Sequence, residues 1–390
     1  MTPSARVQAA IEILDTVIAA ANSGGAPADR VFSDWFRTRR FAGSKDRRAV
    51  RELVYGAIRA CGPVPESGRA AMIRLAQGDE VLAGLFDGGP HAPAAIDPAE
   101  PVAKSGVAPL WLERALADSG VVGAEALLDR APLDVRVNGL KAVRDDLTLP
   151  EPGEPLVARH GLRFAPGTPV ESWPAYEQGM IEVQDGGSQL TCEAVDAQPG
   201  ETVLDLCAGA GGKTLALAAA MGKGRLVAAD VDRARLQRLM PRAERAGAAW
   251  VETLLMNPNR EAEALAGLAG KVDAVLIDAP CSGTGTWRRN PEARWRLTQK
   301  ELARVTAIQS RLLDVAAGLV APEGRIVFVT CSLLDTEGAD QIAAFLARDR
   351  RWRAEPLHLG AGRVRGAGLR LDPAHDGTDG FFVARLKRLC

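Results

Sequence analysis

The sequence predicts an all-α N-terminal region followed by an α/β region that is built around a mostly parallel sheet. Apolar side chains recur at helical spacing up to about residue 130, and no earlier segment has the pattern of a strand. From about residue 184 onward, strand-like runs alternate with helical segments, as in parallel sheets with helices on both faces. With 390 residues, the chain is long enough for two or three domains.

The N-terminal region contains several segments with helical periodicity. Helices are predicted at residues 5–21, 44–60, 68–77 and 106–130, and a loop rich in Gly, Pro and Ala at 87–101. Ser44 is the expected N-cap of the second helix. We therefore predict a helical domain at residues 1–131, and a small connecting subdomain at 132–183, where short strand-like pieces alternate with Pro- and Gly-rich turns.

The C-terminal region, residues 184–390, alternates strands and helices. Strands are predicted at 202–206, 225–230, 250–255, 272–278 and 324–330, and helices at 187–196, 213–221, 232–246, 299–320 and 336–347. A last apolar run, GFFVARL, follows a turn rich in Gly and Asp, and we expect it to close the sheet as an edge strand.

The composition excludes several classes of protein. Hydrophobic residues make up 47% of the chain and the net charge is −1, which argues against a disordered or uniformly polybasic chain. The N-terminus, MTPSARVQ, has no apolar signal core, and no apolar run approaches the roughly twenty residues of a membrane span. The six cysteines form no CxxC motif and the four histidines lack ligand spacing. We therefore expect a cytoplasmic protein, monomeric by default, with no metal.

A glycine-rich turn, TVLDLCAGAGGKT, joins the first strand of the α/β region to a helix. A phosphate-binding P-loop would need Gly at Cys207, and a dinucleotide loop would need a small residue at Thr214. An S-adenosylmethionine loop fits better, with Asp205 at the strand end and Asp230 ending the next strand, where an acid binds ribose hydroxyls. Asp232 is a neighbouring alternative, although it suits a helix N-cap. Glycines that serve only a tight turn remain the structural alternative.

Two cysteines follow apolar runs that are typical of buried strands. Cys281 lies in DAPCSGTG and Cys331 lies in VTCS. Both thiols are expected at the carboxyl ends of strands, downstream of the glycine-rich turn. Because a thiolate is a nucleophile, the pair indicates covalent chemistry in which one thiol adds to a substrate and the other helps to release it. Cys61, Cys192 and Cys390 lie in no such motif and are interpreted as buried or free thiols.

Six motifs in the C-terminal half, taken in order, resemble the Sun/RsmB-type family of RNA cytosine-C5 methyltransferases. They are QDGGSQL, DLCAGAGGKT, AADVDRARL, DAPCSGTGTWRRNPEARW, VTCSLLDTEG and DGFFVARL. The resemblance implies a Rossmann-like domain with a mostly parallel seven-stranded sheet and S-adenosylmethionine as cofactor. The segment SKDRRAVRELVYGAIR is similar to the NusB-like RNA-binding domain of such bacterial enzymes. The chain departs from the family at Ala210, where Pro is usual, and at Asn257, where Asp is usual near the adenine.

The resemblance also implies roles for the site residues. Cys331 is the nucleophile that adds to carbon 6 of cytosine, and Cys281 assists proton removal from carbon 5 and release of the enzyme. Asp278 hydrogen-bonds the amino and N3 edge of the base. Lys213 lowers a thiol pKa or orients the base, with a solvated lysine in the first helical turn as the alternative. The implied cofactor-binding residues are Asp205, Cys207, Ala208, Gly209, Gly211, Gly212, Lys213, Asp230, Asn257 and Asp278.

Two groups of basic side chains predict contacts with RNA phosphates. The first is Arg37, Arg39, Arg40, Lys45, Arg47, Arg48, Arg51 and Arg59, for which a solvated helix face is the alternative. The second is Arg288, Arg289, Arg294 and Arg296, which follow the Cys281 motif and would hold RNA beside an extruded base. Trp287 and Trp295 either stack on bases or belong to the core or a lid.

The predicted function is transfer of a methyl group from S-adenosylmethionine to carbon 5 of a cytosine in RNA. Small-subunit (16S) rRNA is the expected substrate. The alternatives are the same reaction on tRNA and a non-catalytic RNA-binding ribosome-assembly factor. Ala210 and Asn257 keep the assembly factor open, whereas retention of both Cys281 and Cys331 argues against it.

Overall fold

The computed structural model describes residues 1–39 and 41–389, which fold into two units. The first unit contains Met1–Asp129 and Trp287–Thr298, and the second contains Arg130–Thr286 and the chain from Gln299 onward. The segment Trp287–Thr298 therefore belongs to the helical unit, although its position in the sequence lies within the predicted catalytic region. Arg40 and Cys390 lie outside the described residues.

The helices are numbered in chain order. They are α1 Pro3–Ser23, α2 Ala28–Arg37, α3 Ser44–Ala60, α4 Gly68–Ala76, α5 Glu80–Ala83, α6 Leu110–Asp118, α7 Pro174–Glu177, α8 Gly186–Glu193, α9 Gly212–Met221, α10 Arg233–Leu236, α11 Leu239–Ala246, α12 Glu261–Ala264, α13 Ala293–Arg296, α14 Gln299–Leu319, α15 Ala339–Arg348 and α16 Pro373–Asp376. None of the helices in the described part of the chain is long and apolar enough to cross a membrane.

The strands are also numbered in chain order. They are β1 Leu133–Val137, β2 Glu154–Pro155, β3 Gly161–Phe164, β4 Ile181–Val183, β5 Thr202–Asp205, β6 Arg225–Asp230, β7 Glu252–Leu255, β8 Val272–Asp278, β9 Val320–Thr330, β10 Trp352–Glu355, β11 Arg363–Arg365, β12 Gly368–Leu371 and β13 Phe381–Arg388.

The helical unit packs α1 against α3 and α4. Within the described residues no strand precedes Leu133, which confirms the all-α prediction. The sequence analysis missed α2, although its apolar residues recur at helical spacing. The predicted N-cap Ser44 is instead the first helical residue, because Gly43 occupies the cap position and donates its N–H to Asp46. The helix predicted at 106–130 is shorter than expected, because Gly120 turns the chain at φ +67° after α6.

The segment around α13 is part of the core of the helical unit. Trp287 and Trp295 are buried, which confirms the core alternative for both. Arg294 is 0% exposed, and its Nη2 donates to the carbonyls of Ile58 at 2.6 Å and Cys61 at 2.7 Å. A guanidinium that satisfies carbonyls at the end of α3 stabilises the helix terminus. The prediction that Arg294 contacts phosphate is therefore wrong.

Arg288 and Arg296 also differ from the phosphate-binding prediction, whereas the prediction for Arg289 stays untested. Arg288 is buried, and its carbonyl accepts a hydrogen bond from Arg59. Arg296 donates to the carbonyls of Gly25 and Ala26. These arginines support the fold of the helical unit. The sequence pattern could not distinguish them from surface arginines, because their hydrogen-bond partners lie more than 200 positions away in the chain.

The second unit contains a small antiparallel sheet with strand order β2-β3-β1-β4 and a large sheet with order β11-β12-β13-β9-β8-β5-β6-β7, in which β10 also pairs with β13. Strands β7, β6, β5, β8 and β9 are parallel. Consecutive residues of β5, Val203 and Leu204, belong to different apolar clusters, because both faces of a parallel sheet are covered. The Rossmann-like fold class is therefore confirmed.

Two features of the large sheet differ from the sequence prediction. The described sheet has nine strands rather than seven, since the five parallel strands are followed by β13 and by three further strands, β10, β11 and β12. Strand β13 is not an edge strand, because it pairs with β9 and with β12. In addition, the helix predicted at 232–246 is split into α10 and α11. Pro241, in the first turn of α11, has no backbone N–H to donate to the carbonyl four residues earlier, so the helical hydrogen bonds are interrupted between the two helices.

Candidate active site

The carboxyl ends of β5, β6, β8 and β9 surround a cavity of about 670 Å³ in the second unit. That volume is typical of small-molecule sites. Five predicted site residues line it: Cys207, Asp230, Asp278, Cys281 and Cys331. The other predicted site residues do not contribute to its lining: Asp205, Ala208, Gly209, Gly211, Gly212, Lys213 and Asn257. Among residues 1–39 and 41–389, no cluster of His, Cys, Asp and Glu is arranged to hold a metal ion.

The glycine-rich turn between β5 and α9 has a backbone that requires glycine. Gly209 has φ +55° and Gly211 has φ +88°, which is the left-handed region. A Cβ on Gly211 would lie 2.7 Å from Leu239 Cγ, whereas a Cβ on Gly212 would meet no atom within 4 Å. The carbonyl of Ala210, where the family usually has Pro, accepts a hydrogen bond of 2.6 Å from Arg242. The turn is therefore packed against Leu239 and hydrogen-bonded to Arg242, and the space beside Gly212 is open.

Alanine at two adjacent glycines should separate folding from ligand binding. We expect Gly211→Ala to lower the free energy of unfolding by about 1–3 kcal/mol, because it combines left-handed strain with a clash at Leu239. Gly212→Ala should leave stability within about 0.5 kcal/mol, as for substitutions away from special features, while weakening S-adenosylmethionine binding if the cofactor fills the open space. Chemical denaturation and calorimetric titration measure the two effects. Equal stability losses in both variants would contradict this description of the turn.

Asp230 organises the mouth of the cavity at the end of β6. Its Oδ2 accepts the backbone N–H of Gly209 at 2.7 Å, and its Oδ1 accepts that of Asp232 at 2.7 Å. Asp230 is 5% exposed, whereas Asp232 is exposed and accepts the N–H of Arg235 as the N-cap of α10. The N-cap interpretation of Asp232 is therefore confirmed, although both aspartates line the cavity.

Substitution of the two aspartates should distinguish their roles. We expect Asp230→Ala to weaken S-adenosylmethionine binding by about 10- to 100-fold, because a hydrogen bond to a charged group contributes about 1.5–3 kcal/mol. The matched variant Asp232→Ala should lose about 1 kcal/mol of stability, as expected for a missing cap, with binding within threefold of wild type. Calorimetric titration measures the affinities. A larger loss of affinity in Asp232→Ala than in Asp230→Ala would reverse the assignment.

Asp205, at the end of β5, is completely buried below the turn. Its Oδ2 accepts a hydrogen bond from Thr214 at 2.7 Å, and its Oδ1 has no partner among the described residues. Burial raises the pKa of this carboxyl to about 7. A buried acceptor without a donor fits a ligand that carries an ammonium group, as the methionyl end of S-adenosylmethionine does. The unpartnered acceptor at the end of β5 is thus compatible with that cofactor.

The opposite wall of the cavity contains residues that the sequence analysis missed. Asn257 is exposed and does not line the cavity, whereas Asn259 and Glu261 do. Arg311 of α14 donates to Asn259 Oδ1 at 2.5 Å and to Glu261 Oε1 at 3.0 Å. Asn259 has φ +64°, a left-handed conformation that asparagine tolerates better than most residues. The Asn-Pro-Asn sequence signals a turn, but nothing local shows that Arg311 completes it.

The two cysteines meet at the end of the cavity, after β8 and β9. Their Sγ atoms are 3.2 Å apart. The hydrogen bond to Cys331 and burial raise the pKa of the Cys281 thiol well above its ordinary value. Both thiols lie after the carboxyl ends of strands, as the sequence predicted.

Lys213 and Asp278 form a second reactive pair beside the thiols. Lys213 Nζ donates to Asp278 Oδ2 at 2.7 Å. Burial alone would lower the pKa of Lys213, but Asp278 and the nearby Cys192 and Cys331 raise it above its ordinary value. The ammonium therefore stays charged and fixes the Asp278 carboxylate. The lysine is 11% exposed at its side chain, so the alternative of a solvated first-turn lysine is wrong.

The second unit, with its glycine-rich turn and paired thiols, also matches a known family by sequence. The model of 16S rRNA methyltransferase RsmB/F matches residues 192–387, half of the chain. The chain belongs to the RsmB/F family. The resemblance inferred from the six motifs is confirmed.

Individual relatives of the RsmB/F chain agree with this assignment. Ribosomal RNA small subunit methyltransferase B of Xanthomonas campestris is 37% identical over 60% of this chain and 53% of its own. A methyltransferase homolog protein from Pyrococcus horikoshii has a TM-score of 0.59 and 28% identity, over 68% of this chain and 89% of that chain. A solved structure named PH0851 has a TM-score of 0.74 and 23% identity, over 100% of this chain and 99% of that chain, which shows the fold. The chain spans 51% to 66% of the length of the curated relatives compared with it.

A buried carboxylate joins the two cysteine loops of this RsmB/F chain. Glu337 is 0% exposed and accepts hydrogen bonds from the residue after each cysteine, Ser282 and Ser332. Gln309 of α14 also donates to Glu337 at 3.1 Å and to the carbonyl of Pro280 at 2.9 Å. The sequence analysis missed this group, because its members are up to 55 positions apart.

The helical unit of this RsmB/F chain presents basic side chains around two phenylalanines. Arg47, Arg48 and Arg51 line a shallow surface depression with Phe32 and Phe36. Lys45 and Arg37 are exposed as well, whereas Arg39 stacks on Trp35 at 3.9 Å and Arg59 points inward to the carbonyl of Arg288. Part of the predicted basic group is therefore available at the surface, and RNA binding by it stays a prediction.

Proposed function

We propose that this protein transfers a methyl group from S-adenosylmethionine to carbon 5 of a cytosine in 16S rRNA. The observation that carries the proposal is the Sγ–Sγ distance of 3.2 Å between Cys281 and Cys331 at the end of a cavity that Asp230 and Asp278 also line. One thiol alone would suit many nucleophilic enzymes. Two adjacent thiols suit a reaction that must both form and break a carbon–sulfur bond on one substrate.

The reaction begins with addition of the Cys331 thiolate to carbon 6 of the base. Carbon 5 of cytosine is a poor nucleophile, and this addition converts it into the reactive carbon of an enamine. The Asp278 carboxylate, oriented by Lys213 at 2.7 Å, accepts a hydrogen bond from the amino group of the cytosine. Such a preorganised polar group favours addition because it does not need to reorient during the reaction.

S-adenosylmethionine supplies an electrophilic methyl group when it is bound. Asp230 and the glycine-rich turn would hold it, with Asp230 on the ribose hydroxyls and the free Oδ1 of Asp205 near its amino group. After transfer, the proton on carbon 5 must leave before the sulfur can. The Cys281 sulfur lies 3.2 Å from the nucleophile and, as a thiolate that has given its own proton to solvent, is in position to accept the proton from carbon 5. The electrons of that carbon–hydrogen bond restore the ring double bond, and those of the carbon–sulfur bond return to Cys331.

The RNA substrate is proposed from the family and from charge. The family model is described as 16S rRNA methyltransferase, and relatives are named for the ribosomal small subunit. The exposed arginines Arg47, Arg48 and Arg51 beside two aromatic rings fit a surface that contacts RNA backbone. A cytoplasmic location and a monomeric state are part of this proposal.

Transfer of labelled methyl from S-adenosylmethionine tests the proposal. The purified protein is incubated with 16S rRNA, with small subunits from a strain that lacks the gene, and with total tRNA. Incorporation into 16S rRNA, recovered as 5-methylcytidine, is the expected result. Labelling of tRNA alone would show that tRNA, and not 16S rRNA, is the substrate. RNA binding without methyl transfer to any of the three pools would favour an assembly factor.

A further inference from the structure

A buried carboxylate, that of Glu337, bridges the two loops that carry the reactive thiols. Glu337 lies in the turn after β9 and is 0% exposed. Its Oε1 accepts the backbone N–H of Ser282 at 2.8 Å and the side-chain amide of Gln309 at 3.1 Å. Its Oε2 accepts the hydroxyls of Ser282 and Ser332. Four donors therefore converge on one carboxylate.

Each serine in this network is covalently adjacent to a reactive cysteine. Ser282 directly follows Cys281, and Ser332 directly follows Cys331. Gln309 reaches the same loop from the other side, since it donates to the carbonyl of Pro280 at 2.9 Å. A shift of the Glu337 carboxylate would consequently move both cysteine loops.

The network contains donors and no cation. Among residues 1–39 and 41–389, no basic side chain pairs with Glu337, so the hydrogen bonds alone stabilise its charge. Thr284 adds a further link, because its hydroxyl lies 3.0 Å from that of Ser332 and accepts the N–H of Leu333 at 2.9 Å. Burial of a carboxylate without a cationic partner costs desolvation free energy. The hydrogen bonds that the carboxylate makes to the two loops are the structural reason to retain it. The charge also contributes to the raised pKa of Cys281, after the hydrogen bond to Cys331 and burial.

We infer that Glu337 is a positioning residue that holds the Cys281 and Cys331 thiols at reacting distance by binding the serine that follows each of them. Glu337 does not line the cavity, so its effect is transmitted through the two loops. The structural part of this inference concerns the thiol pair alone, and its catalytic part rests on the proposed function.

The test uses Glu337→Gln in the full-length protein with two readouts. Glutamine keeps the shape but turns one acceptor into a donor that faces other donors. We expect kcat for methyl transfer to fall about 30- to 100-fold, in the range typical of lost positioning, with KM for S-adenosylmethionine within twofold of wild type. A trivalent phenylarsenical, which bridges two adjacent thiols, should bind at least tenfold more weakly, with Cys281→Ser marking the value for an absent pair.

Two further variants keep the test decisive. Glu201→Gln removes a carboxylate that pairs with Arg325 at 2.7 Å at the other end of the sheet, and it should leave kcat and arsenical binding unchanged. Ser332→Ala removes one donor without a charge change, and it should also weaken arsenical binding. This variant replaces Glu337→Gln as the test if Glu337→Gln fails to fold. If Glu337→Gln binds the arsenical as tightly as wild type, the inference is overturned. The same result for Ser332→Ala overturns it if Glu337→Gln does not fold. Tight arsenical binding by a wild-type protein that transfers no methyl group would refute the proposed function and leave the positioning role standing.

Discussion

Replacement of Cys331 by alanine should abolish methyl transfer, with a fall in kcat of at least about 10⁴-fold, as is typical for loss of a catalytic nucleophile. Without a sulfur to add to carbon 6, carbon 5 of the cytosine stays unreactive. The assay is incorporation of labelled methyl into 16S rRNA under saturating S-adenosylmethionine. Binding of the cofactor should be within threefold of wild type, because the cavity is also lined by Asp230 and Asp278.

A matched substitution separates this effect from a loss of packing. Cys61 is buried in the helical unit, far from the cavity in the chain. Cys61→Ala also removes one buried thiol, and it should lower stability by about 1 kcal/mol, as core truncations of this size do, while retaining most activity. Substantial turnover by Cys331→Ala would contradict the assigned nucleophile.

Replacement of Cys281 by alanine should slow turnover at a later step, after the covalent bond to RNA has formed. Addition through Cys331 and methyl transfer still take place, but removal of the proton and expulsion of the sulfur slow down. We expect turnover to fall by about 10²- to 10⁴-fold, the usual range for general acid–base groups, while a covalent protein–RNA complex accumulates. Denaturing gel electrophoresis detects that complex as a band of reduced mobility.

The double variant supplies the control for this result. Cys281→Ala combined with Cys331→Ala should give no denaturation-resistant complex, because the attacking sulfur is gone. The single variant Cys331→Ala should give none either. A complex that persists in the double variant would show that another residue, such as Cys207 in the cavity wall, forms the bond.

The parts of the site that are continuous in sequence were predictable. Cys281 and Cys331 lie in short motifs at strand ends, and parallel strands bring such ends together. The turn after β5 was recognisable from its glycines, and Asp230 from its position after β6. Each of these inferences required only a local pattern and the topology of the sheet.

The parts that depend on distant contacts were not predictable. Glu337 has no local signal, because its donors come from Ser282, Gln309 and Ser332 on three different segments. Arg294 lies in a motif beside a reactive cysteine, yet its partners are carbonyls at the end of α3. The same limitation explains why β13 was predicted to be an edge strand. Its neighbours β10 and β12 are short strands with weak sequence patterns of their own.

Cys331 is assigned as the attacking thiol and Cys281 as the thiol that helps release, and mapping the covalent bond in the wild-type protein tests this assignment. The substrate is 16S rRNA whose cytidines carry fluorine at carbon 5, since fluorine cannot leave as a proton and the reaction stalls after methyl transfer. Mass spectrometry of the digested complex identifies the modified cysteine. We expect a methylated fluorocytidine nucleotide on the peptide that contains Cys331. The same nucleotide on the peptide that contains Cys281 would contradict it.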